Sequence, residues 1–146
     1  MTGLQVQIVL EEGREAPEAV IYAAQLDEEV RQAARTLRGD VLNGYRETQV
    51  TRLEGRDILR IYAEQQKVYA QTRDGVYQLR QRLYELEERL DPHLFLRISN
   101  SEIVRSDAIL RLDMLRGGMI GMELRGGIQT YVSRRYVKKI RTYLGL

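Results

Sequence analysis

The stretch Ile109–Val132, ILRLDMLRGGMIGMELRGGIQTYV, sets the fold class. It holds three apolar-rich runs, Ile109 to Leu115, Met119 to Leu124 and Ile128 to Val132, parted by Arg116-Gly117-Gly118 and Arg125-Gly126-Gly127. Runs this short, set between glycine pairs, predict strands joined by hairpin turns rather than helices. Arg-Gly-Gly units also occur in RNA-binding segments, but the strand patterns on both sides favour turns here. Upstream the same grain continues. Thr48 to Leu53, Ile58 to Ala63, Lys67 to Thr72 and Val76 to Leu79 read as strands, the last two joined at Asp74-Gly75, a strong hairpin signal. Leu83, Leu86 and Leu90 then fall on one face of a short helix that Asp91-Pro92 ends. Phe95 to Ile98 and Ile103-Val104 are brief apolar stretches around the polar loop Ser99-Asn100-Ser101.

The N-terminal part differs. Leu4, Val6, Ile8 and Leu10 alternate with polar residues as in a half-buried strand, and Ala19 to Ala23 reads as a second. Leu26, Val30, Ala33, Ala34 and Leu37 follow at helical spacing, with Asp27, Glu28 and Glu29 where the helix dipole favours acids and Gly39 as a C-terminal cap. A β-β-α annex is therefore expected over residues 1–43, ending at the turn signal Asn43-Gly44, with the main domain over 44–146. A segment of this size cannot build an independent core, so the annex is expected to serve as a dimerisation or partner-binding element. It is also too short for a doubly wound receiver domain.

Charge is graded along the chain. Residues 1–43 carry four arginines against eight acids, residues 44–91 are balanced, and residues 92–146 carry ten basic residues against four acids. The total of +2 thus conceals a basic C-terminal third, the footprint of a polyanion-binding face.

The last predicted helix begins near Arg134, with Ser133 as N-cap and Val137, Ile140 and Leu144 turned inward. Arg134, Lys138 and Arg141 share another face, flanked by Arg135 and Lys139, and no acid follows Glu123. The helix dipole accounts for cations at the C-terminal end, but not for Arg134 and Arg135 at the N-terminal end, where they ask for an external anion.

Composition excludes much else. At 146 residues there is room for one domain and a small annex. No apolar run approaches the roughly 18 residues of a spanning helix, and the N-terminus lacks the pattern of a secretory signal, so a cytoplasmic protein is expected. The chain has no cysteine and a single histidine, His93, beside Pro92 at a helix end. That leaves no disulfide, no Cys/His zinc site and no thiol nucleophile. Asp107, Asp113, Glu85, Glu87 and Glu88 are isolated acids of the kind usually solvated, so no metal site is expected. Without a Walker or Rossmann glycine loop, no cofactor is expected either. No nucleophile–base pair can be named, and an enzyme is not expected.

The run Phe95-Leu96-Arg97-Ile98-Ser99-Asn100-Ser101-Glu102-Ile103-Val104-Arg105, followed by glycine-turn hairpins and then Val132-Ser133-Arg134-Arg135-Tyr136-Val137-Lys138-Lys139-Ile140, resembles the LytTR family of bacterial DNA-binding domains. The likeness extends upstream through Ile58–Tyr62 and Leu83–Glu87, and covers about residues 44–146. It implies a mainly β fold with α elements: an elongated antiparallel β-fold with short helices, here preceded by the β-β-α annex. It also implies a stand-alone transcriptional regulator without a receiver domain, bound to double-stranded DNA as a homodimer on repeated half-sites and regulated by a membrane protein partner.

By that resemblance, loops and the start of the last helix enter successive major grooves. Asn100 and Arg135 match base-contacting positions, where asparagine suits an adenine edge and arginine the O6 and N7 of guanine. A third insertion point falls near Gln65, Gln66 and Lys67, giving Gln66 and Lys67 as further base contacts. Arg97, Ser99, Ser101, Arg105, Ser133, Arg134, Lys138 and Lys139 are expected at the DNA backbone. The family's usual asparagine after the Ile-Val pair is Arg105 here, which suggests a phosphate contact in its place.

Two other functional classes fit parts of the sequence. One is a protein-interaction or oligomerisation module, with the basic face serving only solubility. The other is an RNA-binding protein that stacks bases on some of its nine tyrosines, although Tyr62, Tyr69, Tyr77 and Tyr131 fall in predicted strands, where tyrosine is favoured.

Overall fold

A computed structural model describes residues 3–38 and 40–146. The chain divides between residues 39 and 40 into two units.

In the first unit the regular element is α1 (Glu28–Arg38), opened by Asp27, whose Oδ1 accepts the Val30 N–H at 2.9 Å. The expected strands at Leu4–Leu10 and Ala19–Ala23 do not form; residues 3–27 contain no strand. Alternation alone supplies an apolar stripe but no hydrogen-bonding neighbour, and strand preference is realised only against one. Val6, Ile8 and Leu10 are accordingly 80%, 82% and 92% exposed. The cap expected at Gly39 lies outside the described residues.

The second unit begins one strand earlier than the sequence suggests. β1 (Val41–Arg46) runs through Asn43-Gly44, and Gly44 is there for close packing, not turning. A Cβ at this buried position would lie 2.6 Å from Leu53 Cδ1 and 2.8 Å from Tyr77 Cβ. β2 (Gln49–Glu54), β3 (Ile58–Glu64), β4 (Lys67–Thr72) and β5 (Gly75–Leu79) follow close to their expected bounds, then α2 (Leu83–Arg89), β6 (Phe95–Ser99) and β7 (Glu102–Arg105). These strands make an antiparallel seven-stranded sheet in the order β2-β1-β5-β4-β3-β7-β6. β8 (Ile109–Met114), β9 (Ile120–Leu124) and β10 (Ile128–Val132) form a separate antiparallel meander, and α3 (Arg134–Leu144) closes the chain. Both Arg-Gly-Gly units are its turns, with Gly117, Gly118, Gly126 and Gly127 all at positive φ.

Two cores lie on opposite faces of β6 and β7. Phe95 and Ile103 join the α2 residues Leu83 and Leu86 in one, while their neighbours Leu96 and Val104 join Ile120, Leu124, Val132 and Ile140 in the other. Strands buried on both faces read as continuous apolar runs, which is why these segments lack alternation. The arrangement seats the strands on either side of the β6–β7 turn between the two cores. α3 ends in a left-handed Gly145, with Leu146 N–H bonded to Arg141 O at 2.8 Å, and the Tyr143 hydroxyl donates to the His93 carbonyl.

Candidate nucleic-acid interface

Three segments meet at one end of the larger sheet. The turn Ser99-Asn100-Ser101 joins β6 to β7. Ser133 N–H donates to Ile98 O at 2.9 Å, fixing the start of α3 beside that turn. Ala63 N–H donates to Ser101 O at 2.8 Å, so the β3–β4 hairpin projects past the same turn with Gln65 and Gln66 at its tip. Both glutamines have positive φ, 50° and 65°, a backbone that favours glycine or asparagine.

The turn is braced from inside. Arg97 Nε donates to Ser99 O at 2.7 Å and its Nη2 to Asn100 O at 2.8 Å, while Nη1 lies 3.5 Å from Glu87. Ser101 N–H donates to Ser99 Oγ at 3.2 Å, which engages the two serines with each other. Glu102, which follows the turn, is buried; its Oε1 accepts the Thr130 hydroxyl at 2.6 Å and its Oε2 faces Arg60 at 3.2 Å. Arg60 in turn donates to Gln71 at 2.7 Å and lies over the Tyr62 ring.

The face of this end is cationic. Arg134, Arg135, Lys138 and Lys139 are exposed, and among the described residues none enters an ion pair. By contrast Arg56, Arg60, Arg97, Arg105, Arg111 and Arg125 each lie against a carboxylate. Ser133 stands at the N-cap position, yet its side chain makes no capping bond, so the expected cap is positional only. The Asn100 carboxamide is engaged: its Oδ1 accepts from the Tyr136 hydroxyl at 3.1 Å and faces Arg135 Nη1 at 3.5 Å.

Asn100, Arg135, Gln66, Lys67, Ser99, Ser101, Ser133, Arg134, Lys138 and Lys139 thus belong to segments at this end. Two residues expected at the DNA backbone depart from that placement. The Arg97 side chain is 11% exposed because its donors are spent on the turn's own carbonyls. The Arg105 side chain is 9% exposed, paired with Asp107 at 2.6 Å and set over the Phe95 ring. Both are frame, not face. Sequence reasoning missed Glu102 and Tyr136. An acid opening the apolar run Glu102-Ile103-Val104 was the available signal for the first; Tyr136 gave none apart from its place next to Arg135.

Fold and edge together define a β-rich module that presents turns and a helix start on one cationic end. Residues 48–145 match the family described as the LytTr DNA-binding domain, and the chain belongs to the LytTR family. The LytTr DNA-binding domain of a Bacillus cereus protein has the same fold, with a TM-score of 0.70 at 20% identity over 73% of this chain and 97% of that one. HTH-type transcriptional regulators of Staphylococcus aureus, uncharacterised proteins of strains bovine RF122 / ET3-1 and NCTC 8325 / PS 47, are each 44% identical over 55 residues. Those matches span 38% of this chain and 37% of the length of the relatives. Among the described residues no helix is long and apolar enough to cross a membrane.

Proposed function

We propose that this protein is a transcriptional regulator that binds specific duplex DNA through the end of the sheet formed by the 99–101 turn, the start of α3 and the β3–β4 tip. One observation carries this reading: the five cations of α3, Arg134, Arg135, Lys138, Lys139 and Arg141, enter no ion pair among the described residues and lie on the element tied to the Ser99–Ser101 turn. Phosphate contacts from Arg134, Lys138, Lys139 and the open helix start would set register. Asn100 and Arg135, with Gln66 and Lys67 at the hairpin tip, would supply hydrogen bonds to base edges in the major groove. The regulator names of the staphylococcal relatives agree with this role. A binding protein of this kind performs no chemistry on its ligand and needs no cofactor, and its work is in the bacterial cytoplasm.

A homodimer on repeated half-sites is part of the proposal, with the first unit as the element that meets either a second copy or a membrane protein partner. The exposed Val6, Ile8, Val9, Leu10 and Tyr22 support that role for the first unit. The RNA-stacking alternative loses three of the nine tyrosines. Tyr45, Tyr62 and Tyr77 are already covered by Arg80, Arg60 and Arg46.

The test is a titration of the full chain with duplex DNA, single-stranded DNA and RNA over a range of salt. Duplex preference with a log–log salt slope of about −0.9 per neutralised phosphate is expected. A flat salt response, or preference for single strands, refutes the reading. Sedimentation of the protein with and without duplex tests the dimer, and a single copy per multi-site duplex refutes it.

A further inference from the structure

Asn100 is exposed at the tip of the β6–β7 turn, and its side chain meets two residues of α3. A guanidinium only donates hydrogen bonds, so the atom that Arg135 faces must be the carboxamide oxygen and not the nitrogen. Both contacts from α3 reach Oδ1, which sets the oxygen rather than the nitrogen toward that helix. The same oxygen receives the Tyr136 hydroxyl at 3.1 Å, the shorter of the two contacts. An amide oxygen has two lone pairs; here one accepts the Tyr136 hydroxyl and Arg135 faces the oxygen at 3.5 Å. The Asn100 NH2 group donates to no protein atom among the described residues. Tyr136 is itself half-buried and packed on the core beneath α3, so its hydroxyl is presented from a fixed base.

We infer that Tyr136 is the positioning residue for base readout: its hydroxyl holds the Asn100 oxygen toward α3, so that Asn100 meets the DNA as a hydrogen-bond donor and recognises an acceptor edge. This inference rests on the reading of Asn100 as a base contact and sharpens it. The bidentate adenine pairing suggested by residue type alone requires the oxygen to accept from adenine N6 while the nitrogen donates to N7. With the oxygen held, the donor remains, and guanine, which offers N7 and O6 as adjacent acceptors, fits that chemistry better than adenine.

The experiment selects duplexes from a randomised pool with the wild-type protein, then measures binding of the selected and a scrambled duplex at matched salt. Asn100→Ala locates the base position that Asn100 reads, as the position whose preference disappears. Guanine is expected there, and replacing its N7 by carbon should weaken the wild type but not Asn100→Ala. Tyr136→Phe removes one hydroxyl and keeps the ring. It should lower affinity for the selected duplex by about three- to tenfold, as the loss of one neutral hydrogen bond does. Affinity for the scrambled duplex and melting temperature should stay unchanged. In the Asn100→Ala background, Tyr136→Phe should have no further effect.

If Tyr136→Phe weakens both duplexes equally, or still weakens the selected one without Asn100, the positioning role is overturned while the base reading stands. An adenine at the position Asn100 reads overturns the donor assignment. If Asn100→Ala leaves the selected duplex unaffected, the underlying reading of Asn100 fails, and the role of Tyr136 fails with it.

Discussion

Thr130 donates its hydroxyl to Glu102 Oε1 at 2.6 Å, joining the last strand of the three-stranded meander to the strand that leaves the Ser99–Ser101 turn. The bond lies between buried residues and has an ionisable acceptor, so it belongs to the stronger class of protein hydrogen bonds. It holds the reading turn in register with β10, the strand that leads directly into α3. Thr130→Val keeps the shape and removes the donor. A loss of about 1.5–3 kcal/mol in urea unfolding is expected, and an unchanged midpoint would show that the bond does not couple the two sheets.

Gln65 and Gln66 hold the β3–β4 tip in a left-handed backbone that costs roughly 1–2 kcal/mol for each residue with a Cβ. Strain kept at an exposed tip is explained if the side chains are needed there. Gln66→Gly should raise stability by up to about 1 kcal/mol and at the same time weaken duplex binding. Thermal melting and titration of the same preparation separate the two effects. Higher stability with unchanged binding would remove this tip from the interface.

Arg105 stands where the family carries asparagine, and its guanidinium is spent on Asp107 and the Phe95 ring. Arg105→Asn should therefore lower stability, by about 1–3 kcal/mol given that Asp107 remains half exposed. The salt slope of DNA binding should not change. A slope reduced by about one unit at constant melting temperature would instead make Arg105 a phosphate contact.

Lys138 and Lys139 are exposed and, among the described residues, outside every ion pair. Replacing either by alanine should weaken selected and random duplexes alike and reduce the salt slope by about one unit. Stability should move little, because neither side chain is packed. A loss confined to one sequence would mark the residue as a base contact.

Much of this architecture was legible in the sequence because its signals were local. Glycine pairs marked the meander turns, Asp91-Pro92 ended α2, and the apolar face of α3 appeared at helical spacing. What was missed depended on contacts between distant residues. Gly44 resembled a turn residue because only the approach of Leu53 and Tyr77 makes a glycine necessary within β1. Leu4–Leu10 resembled a strand because alternation carries no information about a pairing neighbour. The candidate site followed the same rule. Its cations could be counted from sequence, whereas the use of Arg97 as a brace, the burial of Arg105 and the contact of Tyr136 with Asn100 arise from folding. Residue type could not distinguish an arginine aimed at phosphate from one aimed at a carbonyl.

Base readout should separate from phosphate binding at Arg135, which lies beside Asn100 on the cationic end and has no acidic partner among the described residues. The decisive quantity is the ratio of affinities for a selected and a scrambled duplex at matched salt, measured for the wild type and Arg135→Ala with melting temperature followed in parallel. The expected result is a loss of about 1–3 kcal/mol on the selected duplex, with scrambled-duplex affinity and stability preserved. An equal loss on both duplexes would make Arg135 a positioning contact, and no loss on either would contradict the assignment of this end of the sheet to sequence-specific DNA binding.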